Sequence, residues 1–201
     1  MYKKLTEKRL NRIKEVVNNR QKFLTVVIEN VHDPHNVSAI FRTADSVGID
    51  KIYLIYNQEK FPKISVVSSA SAKKWIEVEK FESVEECFKK LKQLKYNIIS
   101  THINNEGKNY SLYDFDLTKK TAIVFGNEHR GVSEEVKKLA DKNLVIPMKG
   151  MVQSLNVSVS AAVCLYEALR QRELKGLYSK SAYTKTELKE KLNYYINKAT
   201  K

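Results

Sequence analysis

The chain has 201 residues, 42% hydrophobic and 29% charged, with 36 Lys/Arg against 23 Asp/Glu and a formal net charge of +13. That length holds one domain, or one domain with appendages, and is enough for a proper core. No apolar run approaches the roughly 18 residues of a membrane span and no signal-peptide core opens the chain; two distant cysteines, Cys87 and Cys164, give neither a disulfide framework nor zinc-site spacing, so a reducing cytoplasm is the expected compartment.

Residues 4–20 predict a helix with Leu10, Ile13 and Val17 on one stripe and Arg9, Arg12 and Arg20 among its polar positions. A stripe that narrow has to dock on something, leaving its basic side out. Leu24–Ile28 is a β-branched run of the kind that makes a buried strand, and it leads into a polar loop, Glu29–Asn36, that contains Pro34. A helix from Asn36 to Val47 turns Ile40, Ala44 and Val47 inward and stops at Gly48. Arg42 lies within it, with Asp45 one turn on as a candidate ion-pair partner. Lys51–Ile55 is the second strand. Residues 57–74 carry no clean period and read as loop with a helical turn, and Trp75–Val78 reads as a short strand.

Ser83-x-x-Glu86 is a capping box that opens a helix to Leu94. Strands follow at Asn97–Thr101 and Thr121–Phe125, then a short helix capped by Ser133 and running through Leu139, then a strand at Leu144–Ile146. A loop with Pro147 and Gly150 passes into a helix, Leu155 to Leu169, that is apolar nearly all round; such a helix is buried in protein rather than laid on a surface. Ser154 and Asn156 stand at its start, where such side chains favour capping. A second capping box, Thr184-x-x-Glu187, begins a last helix with Leu188, Leu192 and Tyr195 on one face.

Strands alternating with helices indicate an α/β fold with a mainly parallel sheet flanked by helices. Ligands of such sheets bind beyond the carboxyl ends of strands. Here those ends feed Asn30–Asn36, Thr101–Asn105, Gly126–Gly131 and Pro147–Asn156, the most polar loops of the core. Gly126-Asn-Glu-His-Arg-Gly131 is the most suggestive: two glycines, which permit close backbone approach, bracket four polar residues straight after a buried strand. A dinucleotide fingerprint, a P-loop and a serine elbow are all missing, which excludes the corresponding cofactor, NTPase and hydrolase sites. His32 and His35 are too few to hold a metal, and none is expected. The charge lies at the ends: residues 1–22 hold eight Lys/Arg and two Glu, residues 170–201 nine and three, and the stretch between is nearly neutral. A polyanion is the natural partner of such flanks.

Three loops carry a resemblance. Asn30-x-x-Asp-Pro-x-Asn36 followed by Arg42-Thr-Ala-Asp45-x-x-Gly48, then Phe125-Gly-Asn-Glu128-x-x-Gly-Val-Ser133, then Ile146-Pro-Met-x-Gly-x-x-x-Ser154-Leu-Asn156-Val-Ser-Val-Ser-Ala-Ala resemble, in order and spacing, the three motifs of the SpoU/TrmH class of SPOUT RNA methyltransferases. Within that class the short basic ends are similar to those of the tRNA (guanosine-2′-O)-methyltransferases, whereas many ribosomal-RNA relatives carry a larger N-terminal domain. The resemblance implies a SPOUT domain over residues 23–172 with a C-terminal deep trefoil knot, basic helical extensions at 1–22 and 173–201, and a homodimer that buries the apolar helix. It implies S-adenosylmethionine as cofactor, with Thr101, Gly126, Ile146 and Leu155 at its contacts. It implies methylation of a ribose 2′-hydroxyl in tRNA, at a guanosine of the D-loop, with Arg42 catalytic and Asn36, Glu128, Ser154 and Asn156 supporting it. Arg9, Arg12, Arg20, His35, Arg170 and Arg172 are the expected RNA contacts. The alternatives are ribosomal RNA as substrate, or a non-catalytic RNA-binding protein on the same scaffold; the latter would show erosion of those five site residues, and all five stand.

Overall fold

A computed structural model describes residues 5–62, 72–104 and 108–200; the expected Ser65–Ser71 loop and Asn105 lie outside them. Seven parallel strands form one sheet in the order β3-β2-β1-β6-β4-β7-β5. They are β1 (Leu24–Glu29), β2 (Lys51–Ile55), β3 (Glu77–Phe81), β4 (Asn97–Thr101), β5 (Tyr110–Ser111), β6 (Thr121–Phe125) and β7 (Lys142–Val145). The central pair is in register with Val26 opposite Ile123 and, on its other side, Ile52. Every residue of β1 and of β6 is buried. That is why both read as continuous β-branched and apolar runs rather than alternating ones.

Alternate side chains feed two separate cores, as the period of a strand requires. Val26, Ile28, Ile52, Leu54, Ile99, Ile123 and Phe125 face α2 (Pro34–Ser46) and α6 (Val157–Leu174). Val27, Tyr53, Ile55, Ile98, Ala122 and Val124 face α4 (Val84–Gln93) and α5 (Glu134–Leu139). Full burial of one such aliphatic or aromatic side chain contributes roughly 1.5–3 kcal/mol. Cys87 and Cys164 belong one to each core, and burial pushes both thiols up to about 12, so both are packing residues.

The two ends of the chain meet. Helix α1 (Glu7–Asn19) presents Ile13 and Val17 to Tyr195, Leu188 and Leu192 of α7 (Lys185–Thr200), with Trp75 of the one-turn helix α3 (Ala72–Trp75) against them. Trp75 therefore ends a helix instead of opening a strand, and β3 starts two residues later at Glu77. Strand β5 is two residues long and leaves no periodicity to read.

Two expected RNA contacts are corrected here. Arg20 is fully buried: Nε donates to Tyr195 Oη at 2.8 Å, Nη1 to the Ile49 carbonyl at 2.8 Å and Nη2 to Asp45 Oδ1 at 2.6 Å. Arg172 is also buried, donating to the carbonyls of Leu117, Phe23 and Lys119 and to Gln21 Oε1. Both tie the ends to the sheet domain and neither presents its guanidinium to a ligand. A basic residue beside an apolar stripe looks the same in sequence whether it snorkels outward or closes a buried network.

Candidate active site at the carboxyl ends of the sheet

The sheet order puts β1, β6, β4 and β7 side by side, so the four polar loops leave neighbouring strand ends. The β1–α2 loop is set by a cap: Asp33 accepts from the His35 N–H at 2.8 Å and Pro34 takes the first helical turn. This brings Asn36 to the first turn of α2, almost buried. The β6–α5 loop doubles back, with Asn127 and Gly131 exchanging two backbone hydrogen bonds of 2.9 Å. A Cβ on Gly126 would lie 2.3 Å from the Gly131 carbonyl, and Gly131 itself has φ +68°, so both glycines are needed for the turn.

Three polar side chains then form one chain. Glu128 Oε1 accepts from Asn36 Nδ2 at 2.9 Å and from the Asp33 N–H at 3.1 Å, while Oε2 accepts from the His32 N–H at 3.0 Å. Asn36 Oδ1 in turn accepts from Asn156 Nδ2 at 3.1 Å. Burial works against the Glu128 carboxylate, but these donors outweigh it and hold its pKa below the usual range. Asn156 is the N-cap of α6, with Oδ1 accepting from the Ser158 and Val159 N–H groups. The cap is thus Asn156 and not Ser154, which is exposed on the loop two residues before it. Asn36, Glu128 and Asn156, brought from three distant segments, are joined by direct hydrogen bonds.

Arg42 stands apart from that chain. Asp45, its candidate partner, is taken by Arg20 at 2.6 Å. Among the described residues Arg42 makes no hydrogen bond or ion pair, and its side chain is exposed. It lies on the same stripe of α2 as His35 and Ser46, and Ser46 Oγ is 3.3 Å from Tyr166 Oη of α6. Tyr166 is one of several exposed apolar side chains of α6 and the loop before it: Met151 is 98% exposed, Val152 63%, Tyr166 52% and Val159 46%. Within one chain, then, α6 is buried on one side only.

The positions expected at a cofactor line the same edge. Thr101 ends β4 with Oγ1 bonded to the Val124 carbonyl at 2.8 Å. Gly126 follows β6, Ile146 follows β7 and packs on the main core, and Leu155, half-buried, precedes the α6 cap. Residues 146–156 belong to no helix or strand, which leaves their backbone groups outside any ladder. Among the described residues no group of His, Cys, Asp and Glu has the arrangement of a metal site.

The model of the SpoU rRNA Methylase family matches residues 23–166. The chain belongs to that family. A SpoU-family relative from Aquifex aeolicus, a tRNA (guanosine(18)-2'-O)-methyltransferase, is 42% identical over 184 residues, covering 92% of this chain and 86% of its own. The crystal structure of the A. aeolicus TrmH/SpoU tRNA modifying enzyme superposes with a TM-score of 0.88 at 40% identity, covering 97% of this chain and 98% of that one. The SpoU methyltransferase AviRb from Streptomyces viridochromogenes, solved in complex with the cofactor AdoMet, superposes at 0.69 with 28% identity over 77% of this chain and 62% of its own. SpoU membership fits the three motif loops converging at one sheet edge.

The basic flanks divide. Arg9 and Arg12 are exposed on α1, Arg9 over the Trp75 ring at 5.3 Å and Arg12 paired with Glu15 at 2.9 Å. They border a cleft of about 150 Å³ whose floor is Arg20, Asp45 and Tyr195. Arg170 is exposed and paired with Glu167 at 2.8 Å. Asn30 and Arg130, both in loops the sequence singled out, stand beside Glu128 together with Glu59, which the sequence did not single out. The signal for Asn30 was its place in the first motif; the contact of Glu59 with Arg130 spans 71 residues and left none.

Proposed function

We propose that this chain transfers a methyl group from S-adenosylmethionine to the ribose 2′-hydroxyl of guanosine 18 in the tRNA D-loop, as its A. aeolicus relative is named to do. The observation that carries the reading is the Glu128–Asn36–Asn156 chain of hydrogen bonds, which knits the three family motifs at the carboxyl edge of a parallel sheet. The exposed basic residues Arg9, Arg12 and Arg170, with His35 on α2, supply phosphate contacts.

Thr101, Gly126, Ile146 and Leu155 would hold the cofactor. Gly126 makes the tight turn at the end of β6, and the 146–156 loop offers N–H and C=O groups outside any ladder beside the half-buried Ile146 and Leu155. When bound, S-adenosylmethionine supplies a methyl carbon already activated by a sulfonium. The protein's part is to align the 2′-oxygen with that carbon and to manage the proton and charge that develop there. Glu128 stays ionised and orients the Asn36 amide; Asn156 fixes the other side of that amide; Ser154 faces the solvent side of the loop. Arg42 has a free guanidinium fork that suits a ribose-phosphate oxygen. A guanidinium offers donors and no acceptor, which makes charge stabilisation its direct role.

A homodimer and a knot complete this reading. Met151, Val152, Val159 and Tyr166 are exposed, and Tyr166 meets Ser46 of the Arg42 stripe, so pairing two copies across them would cover α6 and bring Arg42 into the interface. Strand β7 lies between β4 and β5 in the sheet although it follows both in the chain. Gln171 and Arg172 then grip residues 115–119 from beneath. A threaded C-terminus accounts for this arrangement.

The test is transfer of labelled methyl to unmodified tRNA and to ribosomal RNA, with the modified ribose mapped. Label at guanosine 18 of tRNA is expected; label in ribosomal RNA alone would replace the substrate assignment.

A further inference from the structure

We propose that His32 and Arg130 form a binding site for a backbone phosphate of the RNA beside the Glu128 end of the candidate active site, and that the carboxylate of Glu59 fills this site until RNA displaces it. Arg130 Nη2 lies 2.8 Å from Glu59 Oε1, and His32 Nδ1 lies 3.3 Å from Glu59 Oε2. One carboxylate thus bridges both groups with its two oxygens, as two oxygens of a phosphate would. The side chains of Arg130 and His32 are 54% and 73% exposed, open to a large ligand, while that of Glu59 is 25% exposed. The hydrogen bond from Arg130 is the first cause holding the Glu59 carboxyl below its usual range.

The placement of Glu59 is built. Asn30 is buried with φ +49°, a left-handed conformation that Asn tolerates better than most residues. Its Oδ1 accepts from the N–H groups of Asn57, Gln58 and Glu59 at 3.1–3.2 Å, and its Nδ2 donates to Asn57 Oδ1 at 2.7 Å. Its backbone carbonyl accepts from Asn127 Nδ2 at 2.8 Å, and Asn127 Oδ1 accepts from the N–H groups of His129 and Arg130. One residue therefore anchors both the turn carrying Glu59 and the turn carrying Arg130. The site also adjoins the chemistry: Arg130 is two residues from Glu128, and the His32 N–H donates to Glu128.

Exchange is favourable on physical grounds. An exposed ion pair contributes little to stability, so losing it costs little. A guanidinium fork binds phosphate bidentately, and each phosphate neutralised on a polyanion releases counterions.

The inference rests on the tRNA reading above, and the experiment separates the two. Binding of an unmodified tRNA transcript is measured across a salt series for the wild type, Glu59→Gln, Arg130→Ala and the double variant. Glu86→Gln, on the exposed side of α4, is the charge-matched control. Glu59→Gln is expected to tighten binding severalfold beyond the control. Arg130→Ala is expected to weaken it about tenfold and to lower the salt slope by about 1, and to abolish the gain from Glu59→Gln. Cofactor affinity and melting temperature should not move. A gain for Glu59→Gln no larger than the control's, or one that persists without Arg130, overturns the placeholder. Arg130→Ala binding like wild type, in an enzyme that methylates tRNA, overturns the phosphate site alone. A wild type that methylates no tRNA overturns the substrate reading instead.

Discussion

Asn36 has one amide and two partners, and both of its ends are used. Its Nδ2 serves Glu128 and its Oδ1 is held by Asn156, so its rotamer and flip are fixed from two sides. Arg42 is the opposite case, a side chain freed because Arg20 has taken Asp45. We expect Arg42→Ala to retain cofactor and tRNA binding while single-turnover methyl transfer falls by about 10²–10³-fold, the scale of losing one preorganised charge contact; near-normal turnover would remove Arg42 from the chemistry. The two arginines at the end of α6 should separate cleanly. Arg172→Ala removes four hydrogen bonds and leaves the buried Leu117 carbonyl and Gln21 Oε1 without their donor, and a loss of about 3 kcal/mol in urea unfolding is expected. Arg170→Ala removes an exposed pair with Glu167 and should stay within about 1 kcal/mol of wild type. Equal losses would mean that Arg172 does not act as a buried tie.

At the scale of elements, the last helix depends on its start. The Thr184 N–H donates to Glu187 Oε2 and the Glu187 N–H to Thr184 Oγ1, the reciprocal pair of a capping box, while Lys22 pairs with the other carboxylate oxygen. Thr184→Ala should cost about 1 kcal/mol. The Lys22 hydrogen bond, then the Thr184 N–H, hold the Glu187 carboxyl down at about 2. Since the folded pKa is depressed, its contribution is fully present above the ordinary carboxylate pKa of about 4.3 and is lost as pH falls towards 2. Glu187→Gln should therefore melt lower than wild type at pH 7, with the gap closing across that acid window. A gap that is constant with pH would assign the stabilisation to something other than charge. Helix α6 shows a second element-level point. Its apolar half packs on α2 and the sheet, while Gln171, itself held by Glu167, and Arg172 in its last turns bind the segment before β6. One helix thus contributes both a core face and a polar clasp.

For the whole molecule, the two basic ends form one structure. Helices α1 and α7 share a small apolar core and are fastened to the end of α2 by Arg20, Asp45 and Tyr195. The charge that is split in the sequence is therefore gathered beside the sheet domain, as a single polyanion partner requires. The exposed apolar side chains of Met151, Val152, Val159 and Tyr166 belong to the same scale. Val159→Asp should give monomers in sedimentation experiments and lose methyl transfer together with dimerisation. A monomeric wild type, or an active monomeric variant, would exclude a site assembled between two copies.

Much was legible from the chain alone, because local physics writes regular patterns. Fully buried strands need unbroken β-branched runs, as Leu24–Ile28 and Thr121–Phe125 show; caps need Ser, Thr, Asp or Asn at helix starts, as at Ser83, Ser133 and Thr184; and the three motif loops announced the family. A two-residue strand such as β5 and a one-turn helix such as α3 are too short to show a period. Which arginines face water was decided only in three dimensions: Arg9 and Arg20 sit on the same basic flank in sequence, yet only Arg20 meets Asp45 and Tyr195, which come from 25 and 175 residues away. The same holds for Glu59 and Arg130. A residue's type and local pattern record what its own segment needs, whereas a hydrogen bond between distant segments exists only once the sheet order has set their loops side by side.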